Sequence, residues 1–132
     1  MSVVFSHKIT KEFNCGDRIL SAANTFVGDG RVASRHVEIP DSSSDFLITF
    51  SLDVDKITSF WMCCDQDVLI ETNDGGSPIE TLSLLAGIPY EWHTGSYDAF
   101  KFATDITALY ATTGAVGIAT LDIEGTLDST PV

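Results

Sequence analysis

The sequence predicts an all-β fold, an antiparallel β-sandwich of jelly-roll type with about eight to ten short strands. Three observations lead there. Apolar residues recur with a period of two, as in DFLITFSL (45–52) and VGIATLDIEGTL (116–127). Turn signals rich in Gly, Pro, Asn, Asp and Ser return every ~8–12 residues. No continuous helical face exceeds about two turns, and no repeat of ~20–50 residues is visible. The 132 residues suit a single domain. With 44% apolar and 20% charged residues the chain falls among globular rather than disordered sequences.

The elements follow in order. VVFSHKITKEF (3–13) alternates weakly, and DRILSAANTFV (17–27) reads as a strand or a short helix. GDG (28–30) is a tight turn, and RVASRHVEI (31–39) is a strand ending at Pro40. DSSSD (41–45) is a polar loop. In 45–52, Phe46, Ile48, Phe50 and Leu52 share one face. KITSFWMCC (56–64) carries bulk on both faces, which predicts a central strand with Phe60, Met62 and Cys64 opposed to Ile57, Ser59, Trp61 and Cys63. Trp61 is expected in the core. DVLIET (67–72) turns Val68 and Ile70 inward. The links at Asp53–Asp55 and Asp65–Asp67 are short enough for hairpins. NDGGSP (73–78) is the strongest turn signal, because Asn and Gly accept positive φ and Pro ends pairing. IETLSLLAG (79–87) follows with Leu82 and Leu84 inward, then PYEWHT (89–94). GSYDAFKFAT (95–104) is the least regular stretch. DITALYATT (105–113) places Ile106, Ala108 and Tyr110 on one face, and the long strand 116–127 turns Leu121 and Ile123 inward. The expected core is Phe46, Ile48, Phe50, Phe60, Met62, Ile70, Leu82, Leu84, Leu121 and Ile123.

Seven basic against nineteen acidic residues give a net charge of −12, which argues against nucleic-acid binding through phosphate contacts. No window approaches the ~20 apolar residues of a membrane span, and the N-terminus lacks the pattern of a secretory signal. The charge is uneven. Residues 1–40 hold five basic and four acidic residues, whereas 41–132 hold two and fifteen. This divides the single domain into a candidate N-terminal docking segment (1–40) and a sandwich body (41–130), with Lys8, Lys11, Arg18, Arg31 and Arg35 as interface candidates. Extended N-terminal strands also offer backbone hydrogen bonds to a partner's sheet edge. Cys15, Cys63 and Cys64 are expected as free thiols, since adjacent strand residues face opposite ways and three cysteines cannot all pair.

The chain carries no GxSxG, P-loop, HExxH or Rossmann fingerprint, so no catalytic residues and no cofactor are assigned and the protein is not expected to be an enzyme. Scattered His7, His36 and His93 without CxxC offer no zinc pattern. Asp53, Asp55, Asp65 and Asp67, read as lying in loops at one end, have together with Asn73 and Asp74 the hard oxygens calcium prefers. Asp is equally the ordinary turn residue that accepts backbone N–H bonds, and that reading is preferred. Trp61, Trp92, Tyr90, Tyr97 and Tyr110 raise a sugar-stacking platform as an alternative, tested by whether Trp92 and Tyr97 are exposed side by side.

From about residue 54 to 130, a little over half the chain, the sequence resembles small virion proteins of tailed phages. The runs that carry the resemblance are KITSFWMCCDQDVLIETNDGGSPIETLSLLAGIPYEWHT and TDITALYATTGAVGIATLDIEGTLDSTP. Their pattern is a strand, then C-D-x-D, an ETN strand end, a Gly/Ser/Pro loop, TLSLLAG with a following Pro and Trp, and a closing DITALYATT…ATLDI. These proteins are similar to capsid decoration, or cement, proteins. The resemblance implies a structural virion protein that binds the major capsid protein on the outer head surface, as a homo-oligomer such as a trimer. It implies assembly in the host cytoplasm, without nucleic-acid or membrane partners. A tail, fibre or baseplate component and a carbohydrate- or receptor-binding β module are the alternatives. Residues 1–40 lie outside the resemblance.

Overall fold

The computed structural model describes residues 5–28, 32–114 and 116–127. Its strands in chain order are β1 (Phe5–Asn14), β2 (Ile19–Gly28), β3 (Val32–Ile39), β4 (Phe46–Ile48), β5 (Ile57–Cys64), β6 (Val68–Thr72), β7 (Thr81–Leu84), β8 (Tyr90–His93), β9 (Leu109–Thr112) and β10 (Ala119–Leu127). A short 3-10 turn at Val54–Lys56 precedes β5. The turn expected at 28–30, Arg31 and the tail after Leu127 lie at or beyond the limits of the described residues.

Eight strands form an antiparallel sandwich of two four-stranded sheets, ordered β3-β10-β5-β8 and β4-β9-β6-β7. The pairing is nested: β3 with β10, β4 with β9, β5 with β8 and β6 with β7. From β3 to β10 the chain changes sheet at every connection except β6–β7. That exception is the NDGGSP segment, where Asn73 takes φ +68° and the Asp74 carboxylate accepts the Gly76 N–H at 2.8 Å. The links expected as hairpins at 53–55 and 65–67 instead pass between sheets, because β5 bonds to β10 and β8 rather than to its sequence neighbours.

The core lies between the sheets, and β5 is central as its two-sided bulk predicts. Ile48, Phe60, Met62, Ile70, Leu121 and Ile123 are fully buried, and Phe50 and Leu84 nearly so. Phe46 and Leu82 are only half-buried, since β4 and β7 are edge strands with a partner on one side. Trp61 is not in the core: it stands on the outer face of β5, opposite in phase to Phe60. The 45–52 strand leaves its ladder after Ile48, and Leu52 pairs again only as an isolated bridge to Ile106. This break changes the phase of the facing segment. Ile106 is buried as expected, but in β9 Leu109 and Ala111 turn inward while Ala108 and Tyr110 are half-covered.

The irregular stretch 95–104 supplies the core's aromatic wall. Phe102 is 1% exposed, and Phe100 lies 5.1 Å from both Phe60 and Trp92, ring centre to ring centre. Glu80 holds this stretch down. Its carboxylate accepts the Ala103 N–H at 2.8 and 3.0 Å and the Thr104 N–H at 3.1 Å.

All three cysteines are free thiols. Cys64 points into the core, Cys63 lies half-buried on the opposite face, and Cys15 sits in the β1–β2 loop. Burial raises the pKa of both strand thiols, and neighbouring Asp122 and Asp65 push Cys63 further up. In the native protein a thiol reagent is therefore expected to modify Cys15 first, Cys63 more slowly, and Cys64 only on unfolding. Equal native rates at Cys15 and Cys64, measured by peptide mass spectrometry, would contradict this placement.

Candidate docking surface

β1 and β2 form a separate two-stranded hairpin in register from Phe5↔Gly28 to Asn14↔Ile19. Its loop closes through the Cys15 N–H to the Arg18 carbonyl at 2.8 Å, with Gly16 at φ +89° and its N–H held by Asn14 Oδ1. The strand reading of 17–27 is thus the correct one of the two. The inner part of the hairpin lies across the outer face of the β3-β10-β5-β8 sheet. Ile9 is 4% exposed there, and the His7 ring meets Trp61 edge-on at 6.4 Å between centroids. Beyond this contact, residues 10–14 and 16–25 are exposed.

Two open grooves flank the crossing. One, of about 450 Å³, runs between Ser6–Lys8 and the outer residues Ser59, Trp61, Glu124 and Thr126. On its floor Ser59 Oγ and Thr126 Oγ1 satisfy each other at 2.6 Å. The other, of about 730 Å³, runs between Ile9, Lys11, Ala22 and Asn24 and the loop after β8.

The structure places Lys8, Lys11 and Arg18 on the hairpin. It separates them from Arg35, which lies on β3, at the opposite edge of the sheet from β8. Arg35 pairs with Ile123 on the core side of that edge strand yet stays exposed, a position in which a charge discourages edge-to-edge pairing. Arg31 lies outside the described residues. Of the five candidates, three therefore share one element.

The aspartates expected at one end are apart. Asp53–Asp55 and Asp65–Asp67 flank the two ends of the eight-residue β5, a span of roughly 26 Å. Asp53 caps its own turn, whereas Asp65 and Asp67 hold segments distant in sequence. Asp53 accepts the Asp55 N–H at 3.2 Å, Asp65 the Thr120 N–H at 2.8 Å, and Asp67 the Ala86 N–H at 2.8 Å. Among the described residues no group of three His, Cys, Asp or Glu side chains is placed to hold a metal. Nor do Trp92 and Tyr97 form a flat platform. Tyr97 is wholly exposed, whereas Trp92 packs on Phe100 and its Nε1–H donates to the Asp98 carbonyl at 3.0 Å.

His7 makes the hairpin contact sensitive to pH. Its Nε2 is buried without a hydrogen-bond partner among the described residues. Burial lowers its pKa, Glu91 opposes that shift, and His93 adds to it. The charged neighbours are Lys8 on the hairpin, Glu91 on β8 and Glu124 on β10, and the titratable His93 also stands on β8. A histidine with a depressed folded pKa leaves stability intact above the free value of 6.5 and erodes it as the pH falls from there towards the folded pKa. Trp61 fluorescence is expected to shift to the red on acidification below that value, and His7→Phe to abolish the shift. An unchanged shift in the variant would assign it to other groups.

Compared with protein-family models, curated proteins and solved structures, the chain matches none.

Proposed function

We propose that this chain is a structural protein of a tailed-phage virion, a head decoration protein that binds the major capsid protein on the outer surface and stabilises the shell. The observation that carries this reading is the hairpin: a projecting arm with Lys8, Lys11 and Arg18, set on a strongly acidic body. A near-neutral arm lets a strongly acidic protein approach a shell that is itself acidic with the least repulsion. The resemblance of residues 54–130 supports the same reading. So does the nested pairing, which is that of one long hairpin rolled into a sandwich, as in jelly rolls. Decoration acts by linkage. A ligand that binds only the assembled lattice stabilises it by about 2.7 kcal/mol per site at a hundredfold excess over Kd. Self-association, as a trimer around a local symmetry axis, would place copies at neighbouring capsid subunits.

The test is binding to heads that lack this protein. The triple variant Lys8→Glu/Lys11→Glu/Arg18→Glu is expected to lose binding while keeping the wild-type melting temperature, and the wild type to raise the temperature at which heads release DNA. Full binding by the triple variant would exclude the hairpin as the docking arm. No binding by the wild type would exclude the decoration reading.

A further inference from the structure

We propose that the outer half of the β1–β2 hairpin docks on the loop end of the sandwich of a second copy of this chain, in a head-to-tail contact. This names the partner and the surface for the self-association in the reading above, rests on that reading, and leaves Lys8, on the other face of the hairpin, for the capsid.

The argument begins with the two faces of the hairpin. Residues directly opposite in an antiparallel pair share a face, and alternate residues return to it. His7, Ile9, Lys11 and Phe13 therefore stand on one face, with Leu20 opposite Phe13 and Ala22 opposite Lys11. The body of the same chain covers the inner part of this face, at His7 and Ile9. Past the edge strand β8 the face continues uncovered, with Phe13 67% and Leu20 50% exposed. A single continuous face that is buried at one end and bare and apolar at the other is built for a second surface.

That surface must be apolar, to cover Phe13 and Leu20, and acidic, to suit Arg18 beside the turn. The sandwich has such a place where β5 ends. The Gly87 N–H donates to the Cys64 carbonyl at 2.8 Å, Asp67 Oδ1 accepts the Ala86 N–H at 2.8 Å, and Asp65 Oδ1 accepts the Thr120 N–H at 2.8 Å. These bonds gather the 65–67 loop, the 85–88 loop and the approach to β10. They leave Leu85, Ile88 and Ile118 each 58–59% exposed, with the carboxylates of Asp65 and Asp67 exposed beside them.

One copy does not satisfy itself. The hairpin passes β8 alongside the loop that follows it, with Lys11 and Ala22 facing Tyr97 and Asp98. The apolar loop end precedes β8 and lies at the strand's other end. Charge selects the same arrangement. Residues 5–28 carry three basic and two acidic side chains, while 41–132 carry two and fifteen, so body against body repels and hairpin against body attracts. A heterologous contact of this kind closes into a ring where the rotation allows.

The test is sedimentation of the free chain at ~0.2 mM, with no capsid present. The wild type is expected to associate. Phe13→Glu/Leu20→Glu loses the hairpin half and Leu85→Glu/Ile88→Glu the receiving half, so each alone is expected to be monomeric. Mixed in equal amounts, they retain one intact half each and should form a dimer that grows no further. Should a glutamate variant fail to fold, serine at the same positions carries the test. A monomeric wild type overturns the proposal. So does a folded variant that still associates, or a mixture of folded variants that stays monomeric. Because no head is present, such a failure leaves the head-binding assay to decide the reading beneath it.

Discussion

Phe60→Ala is expected to lower the free energy of unfolding by ~3–5 kcal/mol, read from a urea titration. Phe60 is fully buried in the central strand and touches Tyr90, Phe100 and Phe102, so its removal opens a cavity that these three aromatic rings cannot close together. Domains of this size hold only about 5–15 kcal/mol in total, so the variant should be near its folding limit at 37 °C. Its neighbour supplies the contrast. Trp61 is larger, but it stands on the outer face beneath His7. Trp61→Ala is expected to cost much less in global stability while loosening the hairpin, which proteolysis between residues 5 and 28 would detect. Equal global losses at the two positions would mean that the two faces of β5 are not as different as their burial indicates.

Asn73→Ala is expected to cost ~2–4 kcal/mol, large for a residue outside the core. Its φ of +68° is a conformation that Asn tolerates and that costs alanine about 1–2 kcal/mol. Its side chain also ties two segments together. Oδ1 accepts the Thr107 N–H at 2.7 Å, and Nδ2 donates to the Asp105 carbonyl at 3.0 Å, each bond contributing about 0.5–1.5 kcal/mol. Asn73→Gly separates these causes, because glycine relieves the backbone and still loses both bonds. Its expected cost is about half that of alanine. If glycine restored full stability, the side-chain bonds would contribute nothing.

Those bonds show what local sequence can express. NDGGSP announces a turn through residues that accept positive φ, and the β6–β7 hairpin stands there. That the same asparagine also clamps the segment before β9, 32 and 34 residues away, is a tertiary fact with no local signal. The stretch 95–104 teaches the same lesson. Phe100 and Phe102 do alternate, but the surrounding Gly, Ser, Asp and Lys hide a segment that enters the core without joining a ladder.

By itself the sequence determined the all-β class, the positions of the strands to within a few residues, and most of the inward-facing side chains. These follow from a period of two and from turn residues, both properties of neighbours along the chain. It also marked the charge difference between the N-terminal part and the rest. Only the tertiary structure decided that short links cross between sheets, that Trp61 faces outward, and that Arg35 stands apart from Lys8, Lys11 and Arg18. The physical reason is that a strand has two faces and two edges. Periodicity says which residues share a face, but only packing says which face meets the core, and how far along the hairpin the body of the same chain covers it.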